Sequence, residues 1–398
     1  MRFLVLGAMA AALIACGNPE PGAGVDAGPV QARSVDSVTV HYDMADAGLT
    51  WLELVSAGAD DEALREAFFQ DVAPTAGCQA ILRHWERFRE WDEELFFEFM
   101  LEALDRKATD GPLVDEHGQE TRLGHARRLW LSAVEDQDRL RKDLEALRSI
   151  DVRQVALDRA RRFLPTEADV SNRFHVVLFG ASGAFSVGED NGFDLLQLKR
   201  LPNGEIDVEW VIDLFAHEMH HSGLASAMEQ SMGEAADDDR IVLPGVLVAE
   251  GMATYFTTPP FPELEAWRVS DDPTDRGLAA DWDRHLANMP LIYAQAEADI
   301  ELGLNGGLTT DDLMTRWLGG FQGPAYGLGV DMIRIIDTEL GTDAAVSLAR
   351  DSRRLLTTFN RAAISAREAG REAYLFEAAL AERLQAFDPG DEEDAGAP

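Results

Sequence analysis

One segment near the middle of the chain constrains the fold more than any other: Asp213-Leu-Phe-Ala-His-Glu-Met-His-His-Ser-Gly223, which contains the pattern H-E-x-x-H. Asp207 is a suitable N-cap for a helix here, and Gly223 is placed to end it. Residues four apart on a helix lie on the same face. His217 and His221 can therefore direct two imidazole nitrogens at one point, which is how paired histidines bind zinc.

A glutamate between the two histidines adds a carboxylate to the site. Glu218 follows the first histidine directly, so we expect its carboxylate beside the metal, where it can accept a proton from water. His220 is expected to point away, because the motif uses the i,i+4 spacing. The five-residue pattern also arises by chance, and it then marks two histidines and a glutamate on a solvated helix. A third metal ligand elsewhere in the chain would favour a zinc site over a chance match.

A second helix supplies that ligand. Val246-Leu-Val-Ala-Glu-Gly-Met-Ala-Thr-Tyr-Phe256 carries one carboxylate, Glu250, in an otherwise apolar run. A buried carboxylate is costly unless it is paired or bound to a cation. His217, His221 and Glu250 would give three protein ligands and leave a fourth position for water, as catalytic zinc sites do. The alternative is a structural acid held by an arginine.

Together these motifs resemble those of the gluzincin metallopeptidases, which combine H-E-x-x-H with a later glutamate as in Glu250-Gly-Met-Ala-Thr-Tyr255. Residues 170–340, including Tyr326-Gly-Leu-Gly-Val-Asp-Met332, are similar to an uncharacterised bacterial group of zinc-dependent peptidases. The resemblance implies a helical zincin fold, Zn²⁺ as cofactor, and a peptide or protein substrate. Metzincins are excluded, because Leu224 and Ala227 replace their glycine and histidine.

The resemblance also implies a donor for the oxyanion that develops during peptide hydrolysis. Tyr326 is the first choice, with His285 and Tyr255 as alternatives and a packing role for Tyr326 left open. Thermolysin-like members carry an aspartate four residues after the ligand glutamate, where this chain has Thr254. Asp213, one turn before His217, is therefore our candidate partner for a metal-binding histidine.

The start of the chain predicts export. Residues 1–16 resemble a lipoprotein signal peptide: the apolar run Phe3–Ile14 is too short to span as an ordinary transmembrane helix, and Leu13-Ile-Ala-Cys16 matches a lipobox. An ordinary signal peptide with an incidental cysteine is the alternative. Residues 17–37 are rich in Pro and Gly and predict a flexible tether. We therefore expect a cell-envelope protein anchored to a membrane by lipid on Cys16.

The pattern of apolar residues predicts many helices and a few short strands, a mainly α fold with a small β-sheet (α+β). The resemblance to the gluzincins implies that these elements form a zincin-like fold, with the metal between the H-E-x-x-H helix and the helix of Glu250. We expect an N-terminal helical subdomain over 38–170, a catalytic domain over 171–387 and a disordered acidic tail over 388–398.

Three short apolar segments predict strands, at 38–42, 173–179 and 193–198, with a glycine-rich connection between the last two. That connection departs from the serine-nucleophile pattern G-x-S-x-G, because Ala184 holds the final glycine position. In zinc peptidases an edge strand before the metal helix commonly pairs with the substrate backbone, and we expect the same mode here.

Composition narrows the possible functions. The formal net charge of −37 argues against nucleic-acid binding, which requires a basic surface. Cys78 alone remains after Cys16, so no intramolecular disulfide can form in the mature chain. We expect a zinc-dependent peptidase. The alternatives are a non-catalytic envelope lipoprotein that keeps the metal helix and a zinc hydrolase acting on a non-peptide amide. The sequence does not predict an oligomeric state.

Overall fold

The structure is a computed structural model that describes residues 37–86, 92–108, 113–114, 121–180, 183–201, 203–258, 261–270, 272–319 and 322–388. The predicted signal peptide with Cys16, nearly all of the predicted tether, and the tail from residue 389 onward lie outside the described residues. Within the described part of the chain, every helix is too short or too polar to cross a bilayer.

Helices dominate the first part of the described chain. They are α1 (Asp43–Ser56), α2 (Asp61–Ala67), α3 (Ala76–Glu86), α4 (Glu93–Ala103), α5 (Arg122–Glu135), α6 (Gln137–Ser149) and α7 (Arg153–Arg161). Polar side chains begin three of them: Asp60, Asp92 and Thr121 accept backbone N–H groups in the first turns of α2, α4 and α5. Such caps satisfy donors that have no partner inside the helix.

A four-stranded sheet, in the order β1-β2-β4-β3, supports the helices. The strands are β1 (Val38–His41), β2 (Asn172–Val177), β3 (Ala184–Val187) and β4 (Asp190–Asp194). β1, β2 and β4 run parallel, and β3 pairs antiparallel with β4 at the edge. The prediction of a mainly helical protein with a small sheet is confirmed, and the first two predicted strands are present.

The third predicted strand is misplaced. β4 ends at Asp194, and Leu195–Gln197 form a 3₁₀ turn where the sequence predicted a continuing strand. The Asp194 carboxylate accepts the N–H of Leu196 at 3.1 Å and that of Phe179 at 3.2 Å, which caps the turn and ties it to the end of β2. A buried side chain thus overrides the local apolar pattern.

The segment predicted as a glycine-rich connection contains a strand of its own, β3. Gly188 has a φ of 61°, a conformation that favours glycine, and it turns the chain from β3 into β4. Gly192 of β4 leaves space for a neighbouring ring, because a Cβ built there would lie 1.9 Å from the Phe185 ring. The glycines therefore shape a hairpin instead of an open loop.

The two faces of the sheet carry different helices. The helix of the H-E-x-x-H motif, α8 (Val208–Met232), covers one face, where the rings of Phe174 and Phe215 stack with centroids 4.2 Å apart. Helices α1 and α3 pack against the opposite face. Gly77 of α3 approaches it closely, since a Cβ there would lie 3.2 Å from Val177 Cγ1. Phe174 and Val177 face opposite sides because side chains alternate along a strand.

Helix α8 is longer than predicted, with 25 residues. Its predicted N-cap is confirmed, since Asp207 accepts a first-turn N–H at 3.1 Å. The predicted end at Gly223 is wrong, because the helix continues to Gly233, whose φ of 56° ends it. Gly223 serves packing instead: a Cβ there would lie 2.3 Å from Leu164 Cδ1.

The rest of the chain is helical, as predicted. The helices are α9 (Val242–Thr257), α10 (Phe261–Arg268), α11 (Pro273–Ala287), α12 (Met289–Leu304), α13 (Thr310–Leu318), α14 (Pro324–Leu340), α15 (Thr342–Val346), α16 (Leu355–Glu368) and α17 (Ala378–Gln385). The division into two domains at residue 170 stays a prediction. β1, from the first predicted domain, pairs with β2 from the second.

Helices α9 and α14 cross at two glycines. A Cβ built on Gly251 would lie 2.5 Å from the carbonyl carbon of Gly329, and one built on Gly329 would lie 2.6 Å from the Leu247 oxygen. Backbone therefore meets backbone at this crossing, with no room for a side chain. The contact brings Glu250 and Tyr326, each within three residues of one of these glycines, toward each other.

The crossing makes a prediction about stability. Gly251→Ala is expected to lower the free energy of unfolding by about 1–3 kcal/mol, because its Cβ meets backbone that cannot rotate away. Gly48→Ala on α1 is the matched control: both changes add the same helix propensity, but at Gly48 the Cβ meets the δ1 methyl of Leu178, a side chain that can move. Denaturant unfolding of both variants would test this, and equal losses would contradict it.

Candidate metal centre and active site

Helices α8 and α9 bring the three predicted metal ligands together. The Nε2 atoms of His217 and His221 lie 3.0 Å apart, and Glu250 Oε2 lies 3.7 Å from the first and 3.6 Å from the second. Their potential ligand atoms all fall within 4.8 Å of one another, and all three residues are buried. Three donors converge on one point, as a metal ion requires.

The chemistry of Glu250 tests whether a metal fits. Its buried carboxylate faces the imidazoles of His217 and His221 and the hydroxyl of Tyr326, and no arginine holds it in the described part of the chain. Burial by itself raises the pKa of Glu250, but the imidazoles of His221 and His217 outweigh it and bring the pKa below its ordinary value. A buried carboxylate that stays ionised without an arginine or lysine beside it needs another cation. Two imidazole nitrogens and one carboxylate oxygen suit zinc.

Glu218 lies beside these ligands and faces the sheet. Its Oε2 accepts a hydrogen bond from Ser186 Oγ on β3, while its Oε1 is buried and has no hydrogen-bond partner among the described residues. Ser186 also contacts Oδ1 of Asn191 on β4. A serine has one proton to donate, so when Glu218 receives it the Asn191 amide must be turned to donate to Ser186. The edge of the sheet thereby holds the glutamate.

Ser186 was not identified from the sequence, because strand alternation is the only feature of the sequence that indicates its position. Alternation along β3 places it on the face opposite Phe185, toward α8, but only the fold shows that Glu218 lies there. The predicted pairing of a substrate with this edge strand stays a prediction. The Ser186 carbonyl already contacts His84 Nδ1 at 3.0 Å.

The predicted partner for a metal-binding histidine is wrong. Asp213 forms an ion pair with Arg159 of α7, so its carboxylate is turned away from the ligands. Instead, Nδ1 of His217 lies 3.1 Å from the hydroxyl of Thr258, the residue that caps α9. A strong arginine partner on a neighbouring helix decided the orientation of Asp213, and the sequence of α8 alone does not reveal that partner.

His220 points away from the ligands, as predicted. Its Nε2 lies 3.2 Å from the Phe163 carbonyl oxygen. Burial lowers its pKa to about 3, so the ring is neutral at ordinary pH. His220 therefore joins α8 to the backbone just after the end of α7.

A family model described as "Putative zinc dependent peptidase (DUF5700)" matches residues 75–368, well over half of the chain. The chain belongs to this family. The match includes both ligand-bearing helices, and the zinc dependence in the family description agrees with the donor set of the site. No curated protein and no solved structure matches the chain.

In this member of the family, Tyr326 lies next to the ligands. It is buried near the start of α14, on the side that crosses α9. Burial, together with the nearby carboxylates of Glu250 and Glu218 and a hydrogen bond to Glu250, raises the pKa of Tyr326 well above its ordinary value. The phenol therefore stays protonated and can donate a hydrogen bond.

The two alternatives to Tyr326 differ in what they contact. Tyr255 donates to Asp337 Oδ2 at 3.0 Å, so its hydroxyl is directed at a residue of α14 outside the ligand set. His285 packs beside the first turn of α14: a Cβ built on Gly327 would lie 3.3 Å from its Nδ1. Both of its ring nitrogens are buried and have no hydrogen-bond partner within the described ranges, and burial lowers its pKa to about 4. His285 is thus a neutral imidazole beside the turn of α14 that carries Tyr326.

Proposed function

We propose that this chain is a peptidase that hydrolyses peptide bonds at the His217, His221 and Glu250 site, with Glu218 as general base. The observation that carries the proposal is the convergence of three buried candidate ligands next to a second buried glutamate, Glu218, whose Oε1 has no partner in the part of the chain that the structure describes. Membership of a family described as zinc dependent peptidases supports the same reaction class. The substrate is a peptide or protein.

Each residue of the site has a separate role in the proposed reaction. Zinc held by the three ligands would supply a Lewis acid that polarises the substrate carbonyl and acidifies water. Glu218 takes the proton of the attacking water and passes it to the nitrogen of the leaving amine. The Ser186 hydroxyl keeps one oxygen of Glu218 engaged, so the other is the one available for the proton. Tyr326, protonated because of its raised pKa, donates to the developing oxyanion.

We further propose that the protein acts in the cell envelope, anchored through lipid on Cys16. The support is the lipobox-like Leu13-Ile-Ala-Cys16 after an apolar run and before a Pro- and Gly-rich stretch. Metabolic labelling with a fatty acid should mark the wild-type chain and leave Cys16→Ser unlabelled. Equal labelling of the two, or labelling of neither, would contradict the lipid anchor.

The same isosteric change at the two buried glutamates should give opposite results for zinc. Glu218→Gln is expected to keep stoichiometric zinc and to lower kcat for peptide cleavage by about 10²–10⁴-fold, because it removes the proton acceptor. Loss of a residue that only hydrogen-bonds a metal ligand typically weakens metal binding by about 10–100-fold. Glu250→Gln is expected to weaken zinc binding by more than this, because it removes a ligand itself. Metal analysis and cleavage of a peptide library measure both.

Other outcomes of this pair of variants favour the alternatives. Zinc in the wild type with no cleavage of any peptide would favour a non-catalytic envelope lipoprotein or a hydrolase of non-peptide amides. Unchanged cleavage by Glu218→Gln would contradict its role as base.

The oxyanion donor can be identified with two tyrosine variants. Tyr326→Phe should lower kcat by about 10²–10³-fold with zinc retained, as loss of one such donor does. Tyr255→Phe is the matched control, since its hydroxyl contacts Asp337. Steady-state kinetics of both variants test this assignment. An effect of Tyr255→Phe as large as that of Tyr326→Phe would contradict it, and an unaffected Tyr326→Phe would leave His285 as the candidate.

A further inference from the structure

We propose that Thr258 positions His217 for zinc: its hydroxyl accepts the Nδ1–H and holds the tautomer whose Nε2 lone pair faces the other ligands. This inference deepens the proposed metal site and rests on it. It concerns a residue that neither the H-E-x-x-H pattern nor the glutamate motif contains. Thr258 acts through His217 and is therefore a positioning residue.

The two ring nitrogens of His217 have different neighbours. Nε2 lies 3.0 Å from His221 Nε2 and 3.7 Å from Glu250 Oε2, so this nitrogen faces the metal position. Nδ1 lies 3.1 Å from Thr258 Oγ1. A metal-binding imidazole is neutral and carries its single proton on the nitrogen that does not bind the metal. In this geometry the proton is on Nδ1, and the Thr258 oxygen accepts it.

The usual candidates for this role are turned elsewhere. Asp213, one turn before His217 on α8, is paired with Arg159. Thr254 occupies the position that holds an aspartate in thermolysin-like enzymes, but its Oγ1 is buried and makes no hydrogen bond to His217 or to any other described residue. The contact has therefore moved one helical turn along α9, to the residue that caps the helix.

The position of Thr258 explains how helix α9 fixes the positions of two ligands, Glu250 and His217. Its backbone N–H donates to the Thr254 carbonyl at 3.2 Å, so the end of α9 fixes where the hydroxyl lies. The same helix supplies Glu250 directly. A shift of α9 would therefore move Glu250 and the hydrogen-bond partner of His217 together, so the two ligands stay aligned with each other.

The size of the effect follows from the chemistry of the acceptor. A hydroxyl is neutral, so it polarises the imidazole less than a carboxylate would. Loss of such outer partners typically costs 10–100-fold in metal affinity. We expect Thr258→Val, which keeps the shape of the side chain, to weaken zinc binding by about tenfold.

The experiment measures zinc affinity and needs no substrate. The full chain is titrated with zinc in competition with a chromophoric chelator, as wild type, Thr258→Val, Thr258→Ser and Thr257→Val. Thr257 is the matched control: it is the neighbouring threonine, and its hydroxyl donates to the Ala253 carbonyl of its own helix at 2.7 Å. Thermal unfolding of the metal-free proteins shows whether each variant keeps the fold.

The proposal predicts weaker zinc binding for Thr258→Val only, with Thr258→Ser and Thr257→Val at the wild-type value. It is overturned if Thr258→Val binds zinc as the wild type does, if the serine variant is as weak as the valine variant, or if Thr257→Val is equally weak. Zinc binding with this pattern but without peptide cleavage would uphold the role of Thr258 and reject the peptidase. A wild type without affinity for zinc would reject both.

Discussion

The buried carboxylate of Glu250, on an apolar helix, is the constraint on which the arrangement of the surrounding helices and sheet depends. Glu250 is surrounded by protein and has no arginine or lysine beside it among the described residues, so its charge must be balanced by the two imidazoles of α8 and by a cation. That balance requires α8 and α9 to be held within a few ångströms of each other. The sheet supports α8 from one side, and the glycine crossing of α9 with α14 fixes α9 from the other.

The groups that support the site are hydroxyls, and the local charge explains why. Glu218 and Glu250 already place two carboxylates in a buried pocket of a chain whose formal net charge is −37. A third carboxylate as a partner for His217 would add to the repulsion and to the desolvation cost. Ser186 and Thr258 provide one hydrogen bond each without adding charge. The asparagine behind Ser186 extends the same neutral network.

Particular residues show where sequence reasoning succeeded and where it failed. The i,i+4 histidines and the lone glutamate in an apolar run were predictable, because helical geometry and the cost of burying a charge act locally. Gly223 was misjudged as a helix end. A glycine is compatible both with a cap and with close packing, and Leu164, distant in sequence, decides which applies. Asp213 was misjudged for a similar reason, since its partner Arg159 lies on another helix.

The sequence by itself determined the three candidate ligands, the mainly helical class and the starts of helices such as α8, because spacing and side-chain capping operate within a few residues. Only the tertiary structure decided which hydroxyls hold Glu218 and His217, and that Tyr326 lies beside the ligands. Those contacts join α8 to β3, α8 to the end of α9, and α9 to α14. They arise from helix crossing and strand register, which depend on packing between segments far apart in the chain.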